Sequence, residues 1–125
     1  DLTPRDMARF GQLLLQDGWS GARSLVPRPW IAEATRRHAP WTIAAGPIEH
    51  LSYGLLWWVD LDRDAWFAWG HGGQFVYVVP SLELVLVATT LWQGIGIEGD
   101  ALAHRVLEVF VDGVLPAVGP PPRRP

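Results

Sequence analysis

Residues 65–90, AWFAWGHGGQFVYVVPSLELVLVATT, are the stretch whose reading decides the fold. Ala65 to Trp69, Gln74 to Val79 and Leu84 to Thr90 are rich in aromatic and β-branched residues and are bounded by turn formers. Each is therefore predicted to be a strand. Gly70-His71-Gly72-Gly73 joins the first to the second, and Pro80-Ser81-Leu82-Glu83 joins the second to the third as a four-residue turn. Connections this short make successive strands antiparallel, because a parallel crossover needs roughly a dozen residues.

Working upstream, Tyr53 to Val59 is predicted as a fourth strand, and Asp60-Leu61-Asp62-Arg63-Asp64 after it as a solvated hairpin loop. Residues 38–50 contain Pro40, Gly46 and Pro47 and are expected to be an irregular connection. Helical spacing appears in three places. Thr3 caps a first helix, with Pro4 at its opening position, Asp6 as the capping-box carboxylate, and Met7, Phe10, Leu13 and Leu14 recurring until Asp17-Gly18. A turn-rich link over Gly18 to Pro27 leads to a short helix from Pro29 to Arg37, with Trp30, Ile31 and Ala34 on one face. A last helix is expected from about Asp100 to Asp112, with Leu102, Val106, Val109 and Phe110 facing inward and Gly113 near its end. The fold class is α+β: an antiparallel meander flanked by helices over residues 1–118, followed by a flexible Pro/Arg tail at 119–125. No internal repeat is found. Asp1 runs straight into a helix cap and is read as a cut end.

Composition removes several kinds of chemistry. The chain has 125 residues, 49% hydrophobic and 18% charged, against roughly 25% charged in an average domain. This excludes a disordered chain and suggests that much of its surface is meant to be covered. A net charge of -3 gives no electrostatic footprint for nucleic acid. All ten basic residues are Arg, so no amine base or Schiff-base former is present. The absence of Cys removes disulfides, thiolate metal sites and cysteine nucleophiles, and leaves the compartment open. The longest apolar run, Leu84 to Leu91, is far short of the ~20 residues of a membrane helix.

The best chemical candidate is Trp69-Gly70-His71-Gly72-Gly73-Gln74. Three glycines around one His let the backbone approach a ligand and turn its amides outward, while the imidazole can donate a hydrogen bond or carry charge. The competing reading is a tight strand-to-strand corner whose His meets solvent. A phosphate cradle fits less well, because no helix start, Lys or Ser/Thr follows the glycines. His38, His50 and His104 are dispersed and lack metal-ligand spacing. Ser20, Ser24, Ser52 and Ser81 sit in no nucleophile motif. Asp60, Asp62 and Asp64 alternate as in a calcium loop, without its glycine and distal Glu. No metal and no organic cofactor are expected. Eight Trp remain. Adjacent Trp57 and Trp58 would face opposite sides of the sheet, with Trp66 and Trp69 on the next strand, so both faces should be covered. An exposed aromatic platform for sugars is the alternative.

The order of the segments LTPRDMARFGQLLL, LVPRPWI, YGLLWWV and WGHGGQFVYVVPSLELVLVATT, with a closing amphipathic helix, resembles the carboxy-terminal part of the serine β-lactamase-like family. That family comprises class C β-lactamases, penicillin-binding DD-peptidases, and related esterases and amide hydrolases. The resemblance covers roughly Asp1 to Val118. It implies an acyl-enzyme mechanism in which a Ser-x-x-Lys helix brings the nucleophile and a Tyr-x-Asn or Tyr-x-Ser element brings a second base. His71-Gly72-Gly73 matches the His-x-Gly form of the third motif. By that match His71 would line the acyl pocket and donate to substrate or to the Tyr oxygen. Gln74 would lend its backbone N–H to the oxyanion hole, and Gly72 and Gly73 would keep the strand edge open to substrate.

The departures matter equally. Without Lys the first motif is absent, and neither Tyr53 nor Tyr77 fits the second. His in place of Lys in the third motif suits esterase-like branches better than dedicated β-lactamases. The resemblance thus implies a small-molecule acyl substrate handled by a complete enzyme, with this chain inert alone. Its partner would be the upstream part of the same domain or a separate chain. Location would be periplasmic or secreted if that upstream part carries a signal peptide, and cytoplasmic otherwise. The rival expectation is a non-catalytic module, either a degenerate family member or a Trp-rich binding domain.

Overall fold

In the computed structural model, residues 2–91 and 98–118 are described. Asp1, Trp92 and the tail at 119–125 lie outside them. Thr3 starts helix α1 (Pro4–Leu15): its hydroxyl accepts the Asp6 N–H at 3.2 Å, and the Asp6 carboxylate accepts the Thr3 N–H at 3.3 Å. This capping box satisfies two amides that the first helical turn leaves unpaired. The helix ends where Gly18, at φ 84°, donates to the Leu13 carbonyl at 2.8 Å. The link that follows contains a small hairpin, β1 (Trp19–Ser20) against β2 (Arg23–Ser24), before helix α2 (Arg28–Thr35). Ile31 and Ala34 of α2 are buried, but Trp30 is 55% exposed and does not share their inward face.

Among the described residues the sheet has six strands where four were predicted. They are β3 (Ile43–Ala45), β4 (Ile48–Tyr53), β5 (Trp58–Asp60), β6 (Ala65–Gly70), β7 (Gln74–Val79) and β8 (Leu84–Ala88). Every neighbour is consecutive in sequence and antiparallel, so these strands form a continuous meander. Two expectations need correction. Residues 38–50 are not wholly irregular, because Gly46 and Pro47 form the turn of the β3–β4 hairpin, with Ala45 opposite Ile48. The run Tyr53 to Val59 is not one strand. Tyr53 closes β4 and Trp58 opens β5, and residues 54–57 between them form a turn in which Gly54 N–H donates to Trp57 O at 2.8 Å. The apolar string Leu55-Leu56-Trp57 disguised that turn, and Leu56 takes the left-handed conformation at φ 65°.

Strand alternation divides the side chains between two faces. On one lie Leu51, Trp58, Phe67, Trp69, Phe75 and Tyr77, packed against helix α3 (Glu98–Glu108) and the π-wound stretch Val109–Val114 that continues into α4 (Leu115–Ala117). Phe110 reaches Phe75 and Tyr77, with ring centroids 6.3 and 6.2 Å apart. The inward side of this helix is Ala103, Leu107, Phe110 and Val111, while the predicted Val109 is 60% exposed. The buried set keeps plain helical spacing, i, i+4, i+7 and i+8 from Ala103, so Val111 lies one turn beyond Leu107 on the inward face and Val109 falls on the outward one. The opposite face, with Trp66, Val76, Val78 and Val85, is covered by α1, whose Gly11 lies directly on Val76 and Val85. Trp57 stacks on Phe10 of α1 at 6.1 Å, so the adjacent Trp57 and Trp58 do serve opposite faces.

Asp60 departs from the predicted solvated loop, since it is completely buried. It is the last residue of β5 and faces α3, opposite the small Ala65. The space left there admits the Tyr77 phenol, which donates to Asp60 Oδ2 at 2.5 Å. Asp62 N–H and Arg63 Nη1 supply further donors at 3.0 and 3.2 Å.

Candidate functional site

The loop singled out in the sequence is the tip of the β6–β7 hairpin. Gly70 stands opposite Gln74 as the last ladder pair, leaving His71, Gly72 and Gly73 as the turn. Gly72 and Gly73 have φ of 76° and 89°, values that an L side chain rarely adopts, so the conformation demands both glycines. Both are buried, and the His71 side chain is exposed at the tip. The Gly73 amide does not point outward; it donates back to Gly70 O at 3.3 Å.

Residues that the sequence did not single out hold this tip. The Thr90 hydroxyl, just past the end of β8, donates to the Gly72 carbonyl. Gln74 Nε2 donates to the Thr90 carbonyl and hydroxyl, both at 2.9 Å, and Gln74 Oε1 accepts the Thr90 N–H at 3.3 Å. The Gln74 side chain is therefore committed to Thr90, and only its backbone is left for the role expected of it. On the other side the first turn of α3 lies against His71: a Cβ at Gly99 would fall 2.6 Å from Cε1 and 2.7 Å from Nε2 of the imidazole.

Below the tip is an aromatic floor. The Trp69 ring lies 5.5 Å from Trp58, 5.7 Å from Phe75 and 6.1 Å from His104. The row continues outward from Trp58 to Tyr53 at 4.9 Å and to Trp41 at 6.5 Å. Of the dispersed histidines, only His104 comes within ring contact of this floor among the contacts described. His38 Nε2 is bound at 2.8 Å to Glu33 O, and His50 Nδ1 lies 2.6 Å from Asp62 Oδ1. Burial acts to raise the Asp62 pKa. The His50 amide, the His50 imidazole and the Glu49 amide outweigh it and hold the carboxyl below its usual range.

No serine is set up as a nucleophile among the described residues. Ser52 is buried and donates to Trp41 O at 3.1 Å, Ser20 and Ser24 belong to the small hairpin, and Ser81 lies at the far end of β7. No three His, Asp or Glu side chains among the described residues form a metal cluster. A groove of about 960 Å³ runs between α1 and the turn after β7, with Arg5, Arg9, Gln12 and Glu83 along it. It is open to solvent, lies at the opposite end of β7 from His71, and brings no reactive group to the candidate site. Among the described residues, no helix is long and apolar enough to cross a membrane.

The architecture of this chain has a counterpart in a solved structure assigned to a hydrolase. That structure carries the description "Putative 6-aminohexanoate-dimer hydrolase from Bacillus anthracis"; it superposes with a TM-score of 0.56 and 32% sequence identity over 68% of this chain. The matched part is 22% of the neighbour's length, so this chain spans only a small share of that protein. No family model matches the chain, and no curated protein does.

Proposed function

We propose that this chain is the carboxy-terminal portion of a serine hydrolase of the β-lactamase-like family, supplying the third-motif strand and one wall of the active site. The single observation that carries the reading is the 32% identity to a solved hydrolase over 68% of the chain. The motif order and the glycine-built tip around His71 agree with it. In the complete enzyme a Ser from the upstream part attacks the carbonyl carbon of an ester or amide. The acyl-enzyme forms as the alcohol or amine leaves, and water then hydrolyses it. His71 donates a hydrogen bond at the acyl pocket. The Gln74 backbone N–H is the second oxyanion donor, a type of contact whose loss costs about 2.7–4 kcal/mol of transition-state stabilisation. Gly72 and Gly73 keep this rim free of side chains. The 125-residue chain alone has neither Ser-x-x-Lys nor Tyr-x-Asn and is inert.

The test uses both forms. An acyl-enzyme probe applied to the isolated chain should label no serine, and stoichiometric labelling of one Ser would overturn the reading. In the complete hydrolase, His71→Ala should lower kcat/KM by an order of magnitude or more with little change in Tm. An unchanged kcat/KM would make His71 a turn residue only.

A second reading, a non-catalytic Trp-rich binding module, draws on the exposure of Trp19, Trp30 and Trp41, at 48%, 55% and 45%.

A further inference from the structure

Among the described residues, two outside the hairpin hold the three-residue tip that carries His71. One is Thr90. Its hydroxyl has a single proton, given to the Gly72 carbonyl, and its lone pairs accept Gln74 Nε2 at 2.9 Å. The hydroxyl is thus oriented, and it ties the peptide next to His71 to the end of β8. The other is Gly99. Carbon atoms in contact settle at about 3.5–4.0 Å, whereas a Cβ here would lie 2.6 Å from Cε1 and 2.7 Å from Nε2 of His71. The helix has little freedom to retreat, because Ala103 one turn later is fully buried and lies 3.6 Å from the position of a Cβ on Gly73. The imidazole is at an exposed tip, so it is the group that would move.

We propose that Gly99 and Thr90 are positioning residues for His71. Gly99 forms a stop against which the Cε1–Nε2 side of the ring rests, and Thr90 is the latch that keeps the tip peptide from turning over. This deepens the hydrolase reading and rests on it for any effect on turnover; the geometric part stands without it. Gly99→Ala pushes the ring out from under α3. Thr90→Val removes the proton held by Gly72 and loosens the tip, and Thr90→Ser keeps it.

The test follows carbethoxylation of each histidine by diethyl pyrocarbonate in the full-length protein that carries this chain, with sites assigned by mass spectrometry. His50, 60% exposed and on another loop, is the internal reference. Gly99→Ala and Thr90→Val should each raise the His71 rate severalfold relative to His50. Thr90→Ser should react as the parent does, as should Gly113→Ala, where an added Cβ meets nothing within 4 Å. If Gly99→Ala does not fold, the Thr90→Val and Thr90→Ser pair decides. An unchanged His71 rate in the folded variants overturns the inference whatever happens to activity. A raised rate with unchanged kcat and KM upholds the positioning and overturns the part of His71 in hydrolysis.

Discussion

Asp60 and Tyr77 are both fully buried, seventeen residues apart in sequence, and joined by a 2.5 Å hydrogen bond. Burial raises the Tyr77 pKa far above its usual value, and the hydrogen bond to Asp60 and the charge of Asp60 add to the effect. The folded state thus keeps a proton that the unfolded chain releases above about pH 10. The sign follows: this contribution to stability is complete below that pH and is lost as pH rises. Tyr77→Phe should cost about 1–3 kcal/mol, because it removes the phenol donor from a buried carboxylate. It should also flatten the fall in Tm between about pH 9 and 11. Thermal unfolding across that range checks both, and an equally steep fall in the variant would place the alkaline transition elsewhere. Asp62 has the opposite sign. Its lowered pKa gives stability that is present above the ordinary carboxylate range and lost as pH falls through the folded-state value. Neither relation was legible in Asp60-Leu61-Asp62-Arg63-Asp64. Three alternating acids look solvated until the pleat of β5 turns the first of them toward β7.

Among the elements, α1 was the most legible. Thr3, Pro4, Asp6 and the stop at Asp17-Gly18 are local signals, and each acts on backbone groups within one turn of itself. What α1 does next is tertiary. Gly11 gives the helix its seat on the sheet, since a Cβ there would come 2.5 Å from Val85 Cγ1 and 2.9 Å from Val76 Cγ1. Propensity alone favours Ala over Gly in a helix by about 1 kcal/mol. Overpacking typically costs about 1–3 kcal/mol, so Gly11→Ala should be net destabilising in urea or thermal unfolding. A variant as stable as the parent would mean that α1 does not rest on β7 and β8. The split of Tyr53 to Val59 failed for a related reason. Gly54 was the one visible break, and what requires glycine there is a carbonyl from another element, Ala34 O at the end of α2, in the space a Cβ would take.

At the scale of the molecule, both sheet faces are covered, yet apolar side chains remain exposed on separate elements: Trp19 on β1, Trp30 on α2, Leu56 in the β4–β5 turn, and Val109 after α3. In the hydrolase reading such positions meet the upstream part of the domain, as befits a chain spanning 22% of its structural neighbour. In the binding-module reading they meet a sugar. A saccharide titration followed by Trp fluorescence separates the two. No saturable change is expected, and a saturable one would favour the platform. The four Trp of the sheet region, Trp57, Trp58, Trp66 and Trp69, are each partly buried and would respond little.

The α+β class, the antiparallel order of the strands, the capped first helix and the glycine-flanked His71 were determined by sequence alone. Each depends on short-range rules: a period of two or 3.6, the length of a connection, or a φ that only glycine takes comfortably. What tertiary structure decided was which residues meet across those elements. The pleat buried Asp60 under Tyr77, and the end of β8 brought Thr90 to Gly72. The start of α3 likewise set Gly99 against His71. Such contacts join residues sixteen or more positions apart. Their partners are chosen by packing and register, which local residue type does not encode.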